Sequence, residues 1–316
     1  MIVTLTANPS LDRTVGLAEP LRAGEVQTAL TVREDAGGKG INVTRVLLGS
    51  GEDSRAVLPL APDDPFGGVL RTAGVPFVPV SVQGNARANL TVADPAGVTT
   101  KINLPGVERT RADGAALIDA VVAASVGARW LVLAGSLPPG LPEAFYVDVI
   151  AAVRAASPIA PRIAVDTSGA ALRAVVDAGA PDLIKPNDEE LVELTGVGLD
   201  SDVPLPDAVA AVAARLVPTR VGAAFVTLGG AGAVLVTADG AWFGTPPPTR
   251  VRSTVGAGDS SLAGFLLAEA SGAGSEECLS TGIQYGSAAA ALPGTQAPTP
   301  HDLLPGDVPV RALPLR

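Results

Sequence analysis

Ser253-Thr254-Val255-Gly256-Ala257-Gly258-Asp259-Ser260-Ser261-Leu262-Ala263-Gly264-Phe265 is the stretch on which the reading of this chain turns. Two close glycines stand directly before an acidic residue, and an apolar run through Leu262, Phe265 and Leu266 follows. The pattern predicts a tight glycine turn feeding the N-terminus of a buried helix. The first amides of such a helix have no partner inside it, and the helix dipole adds partial positive charge there. A turn of this kind suits a phosphate group. Asp259 stands at the same point. A carboxylate beside bound phosphate is repelled unless it has a job or a metal, and one job is to accept a proton from an attacking hydroxyl. The structural alternative is a helix N-cap after an ordinary turn. This stretch alone leaves both open.

Working outward, a second glycine cluster, Gly37-Gly38-Lys39-Gly40, precedes the apolar run Val43, Val46, Leu47 and also reads as a loop entering a helix. It is not a P-loop, because the spacing differs and no Ser or Thr follows the lysine. Glycines that let the backbone approach closely make Lys39 a candidate ligand contact. The flanking pattern is a repeat of short apolar strands and helix-compatible runs. Strands are expected at 2–6, 55–60, 77–82, 130–134, 163–166, 182–184 and 223–228, with helices between most of them. Asp12 is expected on the loop after the first strand. Short alternating runs at 14–17 and 30–32, and a hairpin at 87–103 turning at Asp94-Pro95-Ala96-Gly97, predict a separate small sheet. Repeated strand–helix units predict a parallel sheet with helices on both faces, with ligands beyond the carboxyl ends of the strands. That rule gathers Asp12, Ser136, Asp166, Lys185, Asn187, Thr227 and Asp259 on one rim.

The chain has 316 residues, enough for a substantial core, and is 47% hydrophobic but only 3% aromatic. Its core must therefore be built from Ala, Val and Leu. The net charge of −10 is opposite in sign to that of a polyanion-binding surface, so nucleic acid is not an expected partner. Cys278 is the only cysteine and His301 the only histidine, which excludes an internal disulfide and makes a His-based zinc site or triad improbable. A general base is then expected to be a carboxylate. Residues 221–238 are uncharged, but Gly229, Gly230 and Gly232 interrupt them, and two short strands about a turn fit better than a membrane span. Residues 1–5 read as a strand and not as a signal peptide, and the expected location is the cytoplasm.

Gly37-Gly38-Lys39-Gly40-Ile41-Asn42-Val43, Gly135-Ser136-Leu137-Pro138-Pro139-Gly140, Lys185-Pro186-Asn187 with Glu190, and Val255-Gly256-Ala257-Gly258-Asp259 together resemble the PfkB (ribokinase-like) carbohydrate kinases. The resemblance covers nearly the whole chain, with the motifs in order. Within the family, Asn8 to Thr14, the Lys39 form of the glycine loop, and Arg87 with Asn89 look most like the bacterial 1-phosphofructokinases.

The resemblance implies one α/β domain, a three-layer sandwich with a mostly parallel sheet, and a small β-sheet lid from segments near 12–36 and 84–105. It implies ATP and Mg2+, transfer of a phosphoryl group to a ketohexose phosphate, and a homodimer formed through the lid. Carried over by position, Asp259 is the catalytic base, and Gly256, Ala257 and Gly258 supply the anion hole. Asp12, Gly38, Lys39, Asn42, Arg87, Asn89 and Ser136 lie toward the sugar phosphate. Lys185, Asn187, Thr227, Gly229, Gly232 and Ser287 lie toward the nucleotide, with Ser287 on a late turn, and Glu190 toward the metal. Fructose 1-phosphate is the first expected substrate. Tagatose 6-phosphate, fructose 6-phosphate and a non-catalytic sugar-phosphate sensor are the alternatives. Two positions depart from the 1-phosphofructokinase pattern: Thr91 where a lysine is usual, and Leu104 within Asn103-Leu104-Pro105-Gly106 where Glu is usual.

Overall fold

The computed structural model describes residues 1–95 and 98–314. Ala96 and Gly97, half of the expected hairpin turn, lie outside the described residues. The chain begins with β1 (Ile2–Leu5), β2 (Ser10–Leu17), β3 (Ala29–Gly37), α1 (Lys39–Gly49), β4 (Ser54–Leu60), α2 (Phe66–Thr72) and β5 (Phe77–Ser81). It continues through β6 (Arg87–Ala93), β7 (Thr99–Asn103), α3 (Arg111–Ala124), β8 (Trp130–Ala134), α4 (Phe145–Ala156), β9 (Arg162–Asp166), α5 (Gly169–Ala178) and β10 (Leu183–Ile184). The last part is α6 (Asp188–Thr195), α7 (Leu205–Ala213), β11 (Ala223–Thr227), β12 (Ala233–Thr237), β13 (Gly240–Gly244), α8 (Ala257–Ala270), α9 (Ser275–Ala291) and β14 (Val310–Leu313).

Ten strands form one sheet in the order β14-β13-β12-β11-β10-β9-β8-β1-β4-β5. The pairings from β5 across to β11 are parallel, and β12, β13 and β14 add an antiparallel edge. Successive strand residues face opposite sides, so a strand covered on both faces reads as a continuous apolar run. Val3, Leu131, Leu133, Ile163 and Val226 pack on one side with Leu117, Val149, Leu172 and Val209 of α3, α4, α5 and α7. Ile2, Trp130, Val132, Leu183 and Phe225 pack on the other with Val43 and Leu47 of α1, Leu262 of α8 and Leu279 of α9. These are the three layers of the ribokinase-like α/β fold that the resemblance implied.

Several local expectations are corrected. Asp12 lies inside β2, paired with Asp35 and Asn89, and not on a loop. Cross-strand partners on both sides override the turn preference of Asn8-Pro9. Gly286-Ser287-Ala288 lies inside α9 and makes no turn. Gly286 is there because α8 comes close: a Cβ at this position would lie 2.1 Å from Ser261 Oγ. Strands β13 and β14 have no counterpart in the sequence reading. They pair with each other about 70 positions apart, as Ala241 with Leu313, which no local pattern announces, whereas β13 also pairs with β12 across a tight turn, Thr237 opposite Gly240. Residues 221–238 form β11 and β12 about a short 3-10 turn, Gly229–Ala231. Among the described residues no helix is long and apolar enough to cross a membrane.

The small sheet is separate, in the order β3-β2-β6-β7. Its registers give it two unlike faces. Asp12 and Thr14 stand beside Asn89 and Thr91, and these beside Asn103 and Lys101, forming a polar face. Leu11 and Val15 stand beside Ala88, Val92 and Val32, and Leu90 beside Ile102, forming a mainly apolar one crossed by the Arg13–Glu34 ion pair.

Candidate active site

The helix expected after the glycine turn is α8, and its start is built by Gly256. This residue sits in the left-handed region at φ 78°, where a side chain would be strained. Asp259 is the third residue of α8 and is buried. Its side chain is not the N-cap. Asp259 Oδ2 instead accepts a hydrogen bond of 2.8 Å from Asn42 Nδ2, reaching over from α1. The first-turn amides have no carbonyl one turn back within the helix. That of Ala257 turns toward the Thr254 carbonyl at 3.4 Å, which leaves the Gly258 and Asp259 amides as the better-placed donors.

Beside Asp259 lies a cluster of charge in which Asp166 and Lys185 are buried and Lys39 is partly exposed. Asp166 closes β9 at its carboxyl end and is 1% exposed. Its Oδ1 accepts from Lys39 Nζ at 2.7 Å, and its Oδ2 lies 3.1 Å from Lys185 Nζ. Lys39 is the first residue of α1 and follows Gly38, whose φ of 128° turns the chain from β3 into that helix. Lys185 follows β10 and is buried. Gly258 leaves room for it: a Cβ there would lie 3.1 Å from Lys185 Nζ. Thus the sequence reading placed Lys39 and Lys185 near the ligands but gave no role to the carboxylate that both contact. The available signal was an Asp closing an otherwise apolar strand at the ligand-binding edge.

The electrostatics follow from that geometry. Burial pushes Asp166 upward, but Lys185 and Lys39 outweigh it and hold the carboxyl below the usual range. Burial disfavours the charged form of Lys39, but Asp166 and Asp259 outweigh it and raise the ammonium pKa. Asp259 goes the other way. Burial first, and then the neighbouring Asp166, raise it to about 6 against the pull of Lys39, Asn42 and Lys185. The two lysines spend most of their field on Asp166, so Asp259 remains a carboxylate of raised basicity.

The polar face of the small sheet carries the other candidates. Asp12 Oδ1 accepts from Ser10 Oγ at 2.8 Å and from Asn89 Nδ2 at 3.0 Å. Burial raises the Asp12 pKa, and the Ser10 and Asn89 hydrogen bonds only partly offset this. Strand β6 is interior to the small sheet, so Arg87 is not a solvated edge charge. Arg87 Nη1 donates to the Leu104 carbonyl at 3.2 Å, and its buried Nε has no hydrogen-bond partner among the described residues. Arg87, Asn8, Gly106, Leu137 and Pro139 line a cavity of about 460 Å³. Asn8 Nδ2 donates to Ser136 Oγ at 3.4 Å. Gly37 ties this region to the lysine cluster two residues on, because a Cβ there would collide with the Asp12 carboxylate.

The remaining candidates sit apart from these contacts. Asn187 and Glu190 cap α6 reciprocally: Asn187 N donates to Glu190 Oε2 at 2.9 Å, and Glu190 N to Asn187 Oδ1 at 2.7 Å. Asn187 also bridges to Thr227, just before the turn of Gly229 and the φ 119° residue Gly232. Ser287 is buried in the middle of α9. Among the described residues no group of three or more His, Cys, Asp and Glu side chains forms a metal cage.

The raised pKa of Asp259 has a consequence for stability. The folded chain holds this proton more tightly than the unfolded chain, so the contribution is full below about pH 4 and is lost as pH rises to about 6. Asp259→Asn removes that loss. Chemical denaturation at about pH 4 and pH 7 should show a larger fall in the wild type than in Asp259→Asn. Equal falls would mean that Asp259 ionises as an ordinary carboxylate.

Comparison with known proteins gives the family of this chain. The pfkB family carbohydrate kinase profile matches residues 6–302. The 1-phosphofructokinase of Xanthomonas campestris is 36% identical over 272 residues, covering 84% of this chain and 83% of that protein. The ATP-dependent 6-phosphofructokinase isozyme 2 of Escherichia coli is 33% identical over 299 residues, covering 93% and 94%. A crystal structure of phosphofructokinase-2 from Escherichia coli in complex with fructose-6-phosphate superposes with a TM-score of 0.84 at 31% identity, over 92% of this chain and 93% of that one. With a profile that spans nearly its whole length and relatives above 30% identity along most of it, the chain belongs to the pfkB family of carbohydrate kinases.

Proposed function

We propose that this kinase transfers the γ-phosphoryl group of ATP to a phosphorylated ketohexose, and that the substrate is fructose 1-phosphate, giving fructose 1,6-bisphosphate. The observation that carries the reading is the buried Asp259 at the start of α8, held by Asn42 beside the Lys39–Asp166–Lys185 cluster. Phosphoryl transfer needs positioning and charge stabilisation more than covalent help. Asp259 orients the free terminal hydroxyl of the sugar and takes its proton as the oxygen–phosphorus bond forms and the bond to the ADP oxygen breaks. The Gly256-Ala257-Gly258 turn presents first-turn amides to charge developing on the transferred group. Asp12 and Asn89 face the sugar hydroxyls, with Gly38 and Ser136 beside them. Arg87 offers a planar donor set to the phosphate already on the sugar. Lys185, Asn187, Thr227, Gly229, Gly232 and Ser287 border the nucleotide.

A magnesium ion supplies charge neutralisation on the ATP phosphates when bound. The donor set fits an ion carried mainly by the nucleotide, because Mg2+ keeps several waters and needs only one or two protein carboxylates. Glu190 is the residue offered here, with Oε2 engaged by Asn187 and its other oxygen outside that capping contact.

Fructose 6-phosphate is the second reading, supported by the similarity to the Escherichia coli 6-phosphofructokinase isozyme 2 and by the location of the two sequence departures. Leu104 accepts a hydrogen bond from Arg87, and Thr91 stands two residues beyond Asn89 on the polar face. Both departures adjoin the proposed sugar-phosphate subsite and neither adjoins Asp259.

The small sheet is proposed to act as a lid over this site and, by its other face, to form a homodimer. Leu30, Val32 and Ile102 are 70%, 61% and 50% exposed there, which is costly for a monomer.

Coupled ADP release with MgATP tests the substrate. A preference for fructose 1-phosphate over fructose 6-phosphate of about tenfold or more in kcat/KM is expected. The reverse ranking assigns the second reading, and no turnover of either removes both. In the same assay Asp259→Asn should lower kcat by about two orders of magnitude or more while ATP still binds. Light scattering on a sizing column should find a dimeric wild type and a monomeric Val32→Asp variant. A monomeric wild type, or a dimeric Val32→Asp, would place the interface elsewhere or abolish it.

A further inference from the structure

The hairpin of the small sheet is joined to the body by two crossings. Residues 82–86 lead out from β5 to β6, and residues 104–110 return from β7 to α3. The crossings touch each other: a Cβ on Gly84, whose φ is 79°, would lie 2.9 Å from Val107 Cγ1. Two charged side chains buried at this junction belong to none of the motifs above. Arg109 is 5% exposed, and its Nη1 donates to the Gln83 carbonyl at 2.7 Å. Its own amide donates to the Pro139 carbonyl at 2.8 Å, and Gly140 packs so close that a Cβ would fall 2.2 Å from the Arg109 carbonyl oxygen. Asp64 is 8% exposed. It accepts the Phe66 amide at 2.9 Å on Oδ1 and the Ala86 amide at 2.6 Å on Oδ2.

Burying charge is unfavourable unless hydrogen bonds compensate, and here one bond from each side chain goes to backbone of the segment leading to Arg87, at Gln83 and Ala86, while the other Asp64 oxygen takes the first amide of α2. Ala86 directly precedes Arg87. Pro139 and Leu137 are walls of the cavity that Arg87 also lines. The Arg109 side chain thus fastens the outbound crossing to the foot of the return crossing, whose main-chain amide is tied to the cavity wall, while Asp64 fixes the last residue before Arg87. We infer that Arg109 and Asp64 are positioning residues for the sugar-phosphate subsite, setting the place of Arg87 through the two crossings of the small sheet. The inference rests on the proposed role of Arg87.

The test measures KM for the sugar phosphate, KM for ATP and kcat in Arg109→Gln, Arg109→Lys, Asp64→Asn, Arg87→Ala and the Arg87→Ala/Arg109→Gln double variant. Thermal melts confirm that each is folded. Arg109→Gln should raise the sugar-phosphate KM about tenfold and leave ATP KM and kcat within about twofold, because the lost interaction is uniform binding. Arg109→Lys, which keeps a charged donor for the Gln83 carbonyl, should recover part of the loss. The double variant should be little worse than Arg87→Ala, since residues acting through one another are not additive. If Arg109→Gln is not folded, Asp64→Asn carries the same comparison. An effect of Arg87→Ala with none from Arg109→Gln or Asp64→Asn would overturn the inference. So would full additivity, or equal damage to both KM values and kcat. No change in Arg87→Ala would overturn the reading of Arg87 itself, and the inference with it.

Discussion

A single buried carboxylate, Asp166, holds the centre of this molecule together. It sits at the carboxyl end of β9 and takes two ammonium groups from opposite directions, Lys39 from α1 and Lys185 from the end of β10. Either lysine alone would only neutralise the Asp166 carboxylate. With both, one net positive charge is fixed beside Asp259, with Lys185 shielded from water and Lys39 partly open to it. The same contact explains why two aspartates so close together behave differently. Asp166 is held ionised by its two partners, while Asp259 keeps only the residue of their field and is raised. A base that stays charged at neutral pH yet binds a proton readily is the outcome of that division.

The small sheet solves a different problem with the same economy. A four-stranded sheet with two unlike faces cannot be stable as an isolated layer, because its apolar side must be covered. Leu11 and Ala36 bury part of that side against the body near α2, but Leu30, Val32 and Ile102 remain outside. The polar side carries Asp12, Asn89 and Arg87 toward the end of the sheet that adjoins the glycine loop. Sheet register therefore performs two tasks at once: it brings three distant polar residues together, and it turns the apolar residues away from them. The crossings at Arg109 and Asp64 then fix where that whole face stands relative to the large sheet.

Much of this was legible in the sequence, and for identifiable reasons. The continuous apolar runs of the parallel strands, the left-handed glycine before α8 and the breaks at Gly229 and Gly232 are local signals, set by sterics and burial over a few residues. They gave the strand–helix repeat, the small sheet and the rim that carries Asp166, Lys185 and Asp259. The sequence by itself thus determined the fold class and the chemistry available at the site. What it did not contain is pairing across long separations. The pairing of β14 onto β13, the place of Asp12 within a strand, the helical setting of Ser287, and the union of Lys39 and Lys185 on Asp166 were decided only by tertiary structure. The physical reason is common to them: each depends on which distant group satisfies a buried charge, donor or strand edge, and that partner is chosen by the folded chain as a whole and not by its neighbours in sequence.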